Sequence, residues 1–139
     1  MGSLSAAAAL RLPVNLHGIQ LGQPTDLLLD VESWQVLGFV VHCGDDSVRF
    51  LPWPASQPST DEIAVGSALM LLEDVAFYEK RSASLRSLIG GELPPGGVLR
   101  DVLIGDSGAI TELEVERDGE LRRQSPAGAR VRPKRATAA

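Results

Sequence analysis

The sequence has few of the residues on which metal centres, disulfides and stacking platforms depend. Of 139 residues, one is cysteine and two are histidine, and aromatic residues make up 4%. The lone Cys43 excludes an internal disulfide and favours a reducing, cytoplasmic compartment. His17 and His42 lie in unlike contexts, so no metal-ligand spacing exists. No run approaches the roughly 20 apolar residues that a membrane-spanning helix needs. We therefore expect no cofactor, no metal and no membrane span.

The residues that are abundant indicate an aliphatic core and an uneven charge. Hydrophobic residues make up 44% of the chain, and with few aromatics the core must consist of Val, Leu and Ile, which suit strands. The net charge is −5. Residues 1 to 116 carry 6 Lys and Arg against 16 Asp and Glu, a balance of −10, whereas residues 117 to 139 carry 7 against 2, a balance of +5. An acidic body thus ends in a basic tail.

One pattern occurs twice along the chain and predicts a small all-β scaffold with two similar halves. The first copy runs from Leu16 to Val41 and the second from Leu88 to Val115. Each has an aspartate followed by three aliphatic residues, a turn and a second aliphatic strand. The aligned sets are Asp26 to Leu29 over Asp101 to Ile104, and Val36, Phe39 and Val41 over Ile110, Leu113 and Val115.

Composition shifts divide the chain into four segments. Residues 1 to 13 are rich in Ala and Ser without amphipathic period and predict a disordered lead-in. Residues 14 to 81 form the first repeat. Residues 82 to 125 form a truncated second repeat, which begins with a short connecting helix at Ser82 to Leu88 that the glycines following it would cap. Residues 126 to 139 predict a flexible basic tail. The stretch around Leu69 fits either a closing hairpin or the start of a helix.

The candidate reactive groups favour structural interpretations. His42 and Cys43 are neighbours on a strand, so their side chains point to opposite faces and cannot form a catalytic pair. Asp26 and Asp101 recur at equivalent places, which indicates a structural turn role. We therefore expect a protein that is not an enzyme. A deep pocket around Asp26 and Asp101 would revive the catalytic alternative.

The order of these elements resembles the PRC-barrel family, the small β-barrel of the photosynthetic reaction-centre H subunit and of a ribosome-maturation factor. The resemblance rests on Gly18-Ile19-Gln20-Leu21, Gly90-Gly91-Glu92-Leu93, the strand from Asp101 to Ile104, and Phe50-Leu51-Pro52-Trp53 at the exit of the third strand. Together the two matches cover most of residues 14 to 125. The sequence departs from the family in its Pro-Pro-Gly-Gly insertion and in its truncated second copy.

The resemblance implies a non-catalytic docking module made of two barrel halves. It predicts a protein-interaction or adaptor role in a larger assembly, through barrel surface near Trp53. Trp53 between two prolines fits an exposed anchor or a core residue equally well, and Trp34 is a further candidate contact. An incomplete second copy would leave a strand edge that another subunit could cover, so a homodimer is one expectation.

The basic tail provides the remaining candidate partner contacts and a second functional hypothesis. Its candidate residues are Arg122, Arg123, Arg130, Arg132, Lys134 and Arg135. They would serve as an auxiliary electrostatic contact for a protein partner. The alternative is an RNA- or ribosome-associated assembly factor that uses this tail. Because no aromatic residues are interleaved for base stacking and the body is acidic, nucleic acid is the less favoured partner.

Overall fold

A computed structural model describes residues 3 to 133, and its regular elements are mostly strands. In chain order the strands are β1 Leu4–Ser5, β2 Val14–Leu16, β3 Ile19–Asp30, β4 Gln35–Cys43, β5 Val48–Pro52, β6 Ser56–Pro58, β7 Ile63–Val65, β8 Ala83–Ser84, β9 Glu92–Leu93, β10 Gly97–Ile104, β11 Ile110–Arg117 and β12 Glu120–Gln124. The short helices are α1 Ala6–Ala9, α2 Val75–Glu79 and α3 Leu85–Leu88, with 3₁₀ turns at Trp53–Ala55 and Ala68–Met70. The all-β expectation is confirmed at this level.

The strands form two curled sheets, each completed by a piece of chain from the other half of the sequence. The larger sheet has the order β5-β4-β3-β2-β7-β6, with β8 paired to β3. The smaller sheet has the order β1-β10-β11-β12, with β9 paired to β10. The N-terminal β1 thus joins the second hairpin, whereas β8, which precedes that hairpin in sequence, joins the first. Neither half of the chain completes its own sheet.

Both sheets bury one face in a shared aliphatic core, and the larger sheet also buries part of its outer face. Leu27, Leu29 and Phe39 face the shared core with Leu113 from the smaller sheet. Since side chains alternate along a strand, Leu28 points outward. It joins a second cluster whose buried members are Leu28, Val40, Phe50 and Val75. Helix α2 covers this outer cluster, which explains the continuous apolar run in β3.

The two long hairpins have the same pairing register at the positions that the sequence alignment superposes. Leu27 pairs with Phe39 in the first hairpin, and Val102 pairs with Leu113 in the second. The register of each strand shifts next to its aspartate, between Pro24 and Asp26 in one and between Leu99 and Asp101 in the other. The aligned aliphatic residues therefore occupy matching environments.

The turns of the two hairpins also pair with each other in a reciprocal way. The Val36 amide donates to the Gly108 carbonyl over 2.8 Å, and the Ile110 amide donates to the Trp34 carbonyl over 2.8 Å. Trp34 and Gly108 hold equivalent places and both have positive φ, +52° and +87°. This pair of hydrogen bonds joins the two sheets at the centre of the molecule.

The expectation of a disordered lead-in over residues 1 to 13 is wrong for the part that the structure describes. Ala6 and Ala9 of α1 are fully buried against the second hairpin. Ser5 begins the helix, and its Oγ accepts from the Ala8 amide at 3.1 Å. The lead-in has no amphipathic period because small alanines suit close contact with a sheet and carry little hydrophobic signal. Residues 1 and 2 lie outside the described residues.

The predicted flexible tail at 126 to 139 also differs from the structure where it is described. Residues 126 to 133 return to the body, where the backbone of Arg132 pairs with that of Glu92. Lys134 and Arg135 lie outside the described residues. In the middle of the chain, the hairpin alternative over residues 63 to 72 is wrong, because β7 is followed by the Ala68–Met70 turn and then by α2.

Substitution of Gly38 tests the close packing of β4 on β5. A Cβ at Gly38 would collide with the Leu51 carbonyl and would lie 2.6 Å from Phe50 Cζ. We expect Gly38→Ala to lower the free energy of unfolding by about 1–3 kcal/mol, as overpacked sites do. Gly66→Ala is the matched control, because a Cβ there meets nothing within 4 Å and its effect should stay within about 0.5 kcal/mol. Urea denaturation of both variants measures the difference, and equal stabilities would contradict the packing described.

Candidate functional site

The structure places Trp53 in the core, so it is not an exposed anchor. Its side chain is 8% exposed and its ring centroid lies 5.9 Å from that of Phe39. A Cβ at Gly108 would lie 2.7 Å from Trp53 Cδ1, which explains why that turn needs a glycine. Pro52 and Pro54 therefore hold the Trp53 side chain in the core rather than on the surface. Only an edge of the residue reaches a surface groove of about 390 Å³, beside Leu4.

Trp34 is also buried, which corrects its assignment as an exposed partner contact. It is 6% exposed, and its positive φ is unusual for a bulky residue. The hydrogen bond from the Ile110 amide holds this backbone conformation. Trp34 lines a cleft of about 670 Å³ together with Arg130 of the C-terminal segment. Of the predicted contact residues, the structure brings these two together.

The other basic candidates on β12 are paired with carboxylates on the same sheet. Arg122 lies 2.8 Å from Glu120, and Arg123 lies 3.9 Å from Glu114. Both arginines are exposed, so each pair contributes little to stability, yet each reduces the local positive charge. Arg132 is exposed but lies on the C-terminal segment beyond β12. This arrangement gives no support to the RNA hypothesis, which stays a prediction.

The sequence analysis missed the main function of the repeated aspartates, which is to join the two halves. Asp101 lies within β10 rather than in a turn. Its Oδ2 accepts from Ser5 Oγ at 2.8 Å, and its Oδ1 accepts from the Ala7 amide at 3.2 Å. The same Oδ1 accepts from the Val102 amide at 2.8 Å. Asp101 of the second hairpin thus binds the first turn of the N-terminal helix.

Asp26 of the first hairpin makes the equivalent contacts with the helix that precedes the second hairpin. It accepts from the Ser84 hydroxyl, from the Arg86 amide at 3.1 Å and from the Leu27 amide at 2.8 Å. Ser84 begins α3 just as Ser5 begins α1. The turn role predicted for Asp26 and Asp101 is therefore wrong. The available signal was a serine that begins a short helix before each copy, Ser5 before the first and Ser84 before the second.

The other candidate reactive groups do not gather at one place. His42 is exposed and lies 3.4 Å from Asp46, whereas Cys43 is buried on the opposite face. The Glu32 and Ser33 amides, which donate to Asp30, hold its pKa below the usual value. Neither Asp26 nor Asp101 lines the cleft beside Trp34 or the groove beside Trp53. Within residues 3 to 133, no three His, Cys, Asp or Glu side chains gather in a metal-binding arrangement.

A surface that the sequence analysis did not single out lies on the outer face of the larger sheet. Tyr78 stacks on Phe50 with ring centroids 4.0 Å apart, and the segment that carries Tyr78 packs over β5. Four large apolar side chains of β5 and of the segment from Leu69 to Phe77 are exposed, and we name them the outer-face patch: Val48, Leu69, Met70 and Phe77. Leu69 is 86% exposed and Phe77 is 45% exposed. Arg81 lies over the Phe77 ring, 3.7 Å from its centroid.

Comparison with known proteins identifies no family for this chain. A scan against models of protein families finds no match, and a search of curated proteins finds none. Among residues 3 to 133, no helix has the length and apolar character needed to cross a membrane. The PRC-barrel resemblance therefore stays a prediction from the sequence.

The contact between Asp101 and Ser5 is testable by a double-mutant cycle. We expect Asp101→Ala to cost about 1.5–3 kcal/mol of stability, since hydrogen bonds to a charged acceptor are lost. The coupling energy with Ser5→Ala should be about 0.5–3 kcal/mol, measured by urea denaturation. Exposed Asp106 on the following turn provides the control, and Asp106→Ala should change little. Additive effects at Ser5 and Asp101 would contradict a joint role.

The turn at Asp45 predicts a defined pH response. The Ser47 hydroxyl and then the Ser47 amide donate to Asp45 and lower its pKa below the usual value. Because the folded pKa is lowered, the stabilisation exists above the unfolded pKa and is lost as pH falls through the folded pKa. Ser47→Ala should raise the Asp45 pKa and lessen this acid-side loss, as measured by carboxyl NMR titration. Ser59→Ala, in another turn, should leave that titration unchanged.

Proposed function

We propose that this chain is a non-catalytic protein-interaction module with two PRC-type barrel halves, which docks to a larger assembly through the outer-face patch. The observation that carries the proposal is the exposure of Leu69 and Phe77 on a segment that already packs on the sheet. Val48 of β5 and Phe77 of α2 lie on elements that contact each other, and exposed apolar patches are typical of interaction sites. The module would work in a reducing, cytoplasmic setting, in keeping with a single free cysteine.

The matching registers of the two hairpins support the PRC-type part of the proposal. So do the equivalent aspartates, each of which binds the short helix that precedes the other hairpin. In this interpretation the two halves are copies of one unit, joined in a single chain as a pseudo-twofold body. The reciprocal bonds between Trp34, Gly108 and their partners would then lie near the pseudo-twofold axis.

The patch offers both kinds of contact that protein interfaces favour. The rings of Phe77 and Tyr78 meet edge to face, with ring centroids 5.1 Å apart. Arg81 lies against the Phe77 ring. Aromatic residues and arginine are enriched among the residues that contribute most to binding. Arg49, which follows Val48 in sequence, lies 3.4 Å from Glu73, and this charged pair adjoins the patch. An apolar centre with a charged rim is the composition of a docking surface.

The patch replaces the surface near Trp53 as the proposed docking site. Trp53 contributes to the core, and its small exposed edge is too limited for an anchor. The expected homodimer stays a prediction without support from the β12 edge. Arg122 and Arg123 are exposed on that edge strand, and charged side chains on an edge strand are a common defence against strand pairing.

Capture of partners by tagged variants tests the proposal. In lysate of the native cell, Leu69→Ser and Phe77→Ser should each lower recovery of the specific partner by about tenfold, as loss of an interface anchor does. Leu121→Ser is the matched control, because Leu121 is 59% exposed on the other sheet. Quantitative mass spectrometry of the captured proteins provides the measurement. Equal recovery by all three variants would contradict docking through the patch, and capture of RNA lost at high salt would favour the alternative partner class.

A further inference from the structure

Residues 126 to 133, which we name the C-terminal strap, are held to the body by a single backbone bridge. The Arg132 amide donates to the Glu92 carbonyl over 2.8 Å, and the Glu92 amide donates to the Arg132 carbonyl over 3.2 Å. Glu92 belongs to β9, whose other side pairs with β10. The strap therefore takes the place of a further strand beside β9. It does so over one residue pair only.

The backbone of the strap lies very close to that of the body at Gly91. A Cβ at Gly91 would collide with the Arg132 carbonyl and would lie 3.0 Å from Val131 Cγ1. Only a glycine allows this approach, although Gly91 has no positive φ. Val131 and Ala129 are the partly buried strap residues that pack against the core. The glycine serves both the strap and the turn after α3, where a Cβ would lie 2.8 Å from the Leu88 carbonyl oxygen.

Beneath the strap lies the cleft of about 670 Å³ that contains Trp34. Its floor comes from both hairpin turns and from α3, namely Val31, Glu32, Ser33, Trp34, Leu88 and Ile110. Ala127, Gly128 and Arg130 of the strap line the opposite side and remain exposed. Because few strap side chains are buried, its hold on the cleft is weak. The cleft has a floor of mixed polar and apolar side chains, which the strap covers only in part.

The charges indicate which kind of segment suits this cleft. Residues 1 to 116 carry a net charge of −10. Glu32 lines the cleft, and the backbone of Glu92 pairs with that of Arg132 in the strap. The strap carries Arg130 and Arg132 and otherwise small or apolar residues. An extended, basic segment with small side chains therefore matches the site in both shape and charge.

We propose that the place of the strap, beside β9 and over the cleft, is a receptor site for such an extended basic segment of a protein partner, and that the strap occupies it in cis until the partner segment replaces it. The partner segment adds as a strand beside β9 and places its apolar side chain at the position of Val131. Strand addition at a sheet edge is a common mode of peptide recognition. The inference rests on the proposed function, since it gives the interaction module a second contact, and it concerns a surface separate from the outer-face patch.

The strap's own sequence provides the probe for a direct test. A fluorescent peptide with the sequence of residues 125 to 133, SPAGARVRP, is titrated into the full-length protein and followed by anisotropy. In the wild type the tethered strap competes at high effective concentration. Val131→Asp should release the strap and tighten peptide binding by about tenfold or more relative to the wild type, because only the tethered competitor is weakened. Val131→Ser serves as the milder variant should the aspartate impair folding.

Two controls make the expected result specific. A peptide with aspartate in place of its valine should fail to bind the released protein. Leu121→Asp, an equal change of charge on an exposed residue outside the strap, should leave peptide binding as weak as in the wild type. Release of the strap should also shift tryptophan emission to longer wavelength and increase acrylamide quenching, because Trp34 loses its cover.

The outcomes separate this inference from the proposed function. If folded Val131→Asp and Val131→Ser bind the peptide no better than the wild type does, the receptor site is refuted, whatever the Leu69 and Phe77 variants show. If the released variants instead form a dimer that the peptide does not dissociate, the occupant is a second copy and the partner segment is refuted. Tight peptide binding with partner capture unaffected by Leu69→Ser and Phe77→Ser would support the cleft and refute the patch.

Discussion

The structure depends on an exchange of carboxylate contacts between the two halves of the chain. Asp26 binds the start of α3, and Asp101 binds the start of α1, so each hairpin holds the helix that precedes the other. Each contact satisfies amides at a helix start that would otherwise lack partners, and a carboxylate is the strongest acceptor available for them. Removing either exchange would detach a segment that completes a sheet. The two halves are therefore interdependent.

The shared core follows from this exchange. β1 joins the second hairpin and β8 joins the first. The inner faces of both sheets then close over one set of Leu, Val and Ile side chains, together with Phe39 and both tryptophans. The reciprocal bonds between the hairpin turns hold the sheets in register at the centre. Few aromatic residues are left for the surface, so those that remain exposed, Phe77 above all, stand out as candidates for binding.

The two proposed surfaces have different physical origins. The outer-face patch consists of apolar side chains of β5 and of the segment from Leu69 to Phe77 that the fold leaves exposed. The cleft under the strap lies where the two hairpin turns meet beside Trp34. The first surface is made of exposed apolar side chains, and the second is a hollow that the chain itself covers loosely.

Sequence by itself determined the strands of the two long hairpins, the alignment of those hairpins and the aliphatic core, because alternation, turn residues and spacing are local properties. It also indicated the helix before the second hairpin and the opposite facing of His42 and Cys43. Only the tertiary structure decided that Trp53 and Trp34 are buried, that the alanines of α1 are core residues and that Asp26 and Asp101 reach across the molecule. These facts depend on contacts between residues as far as 96 positions apart, and no local pattern records which distant segment will fill a given place.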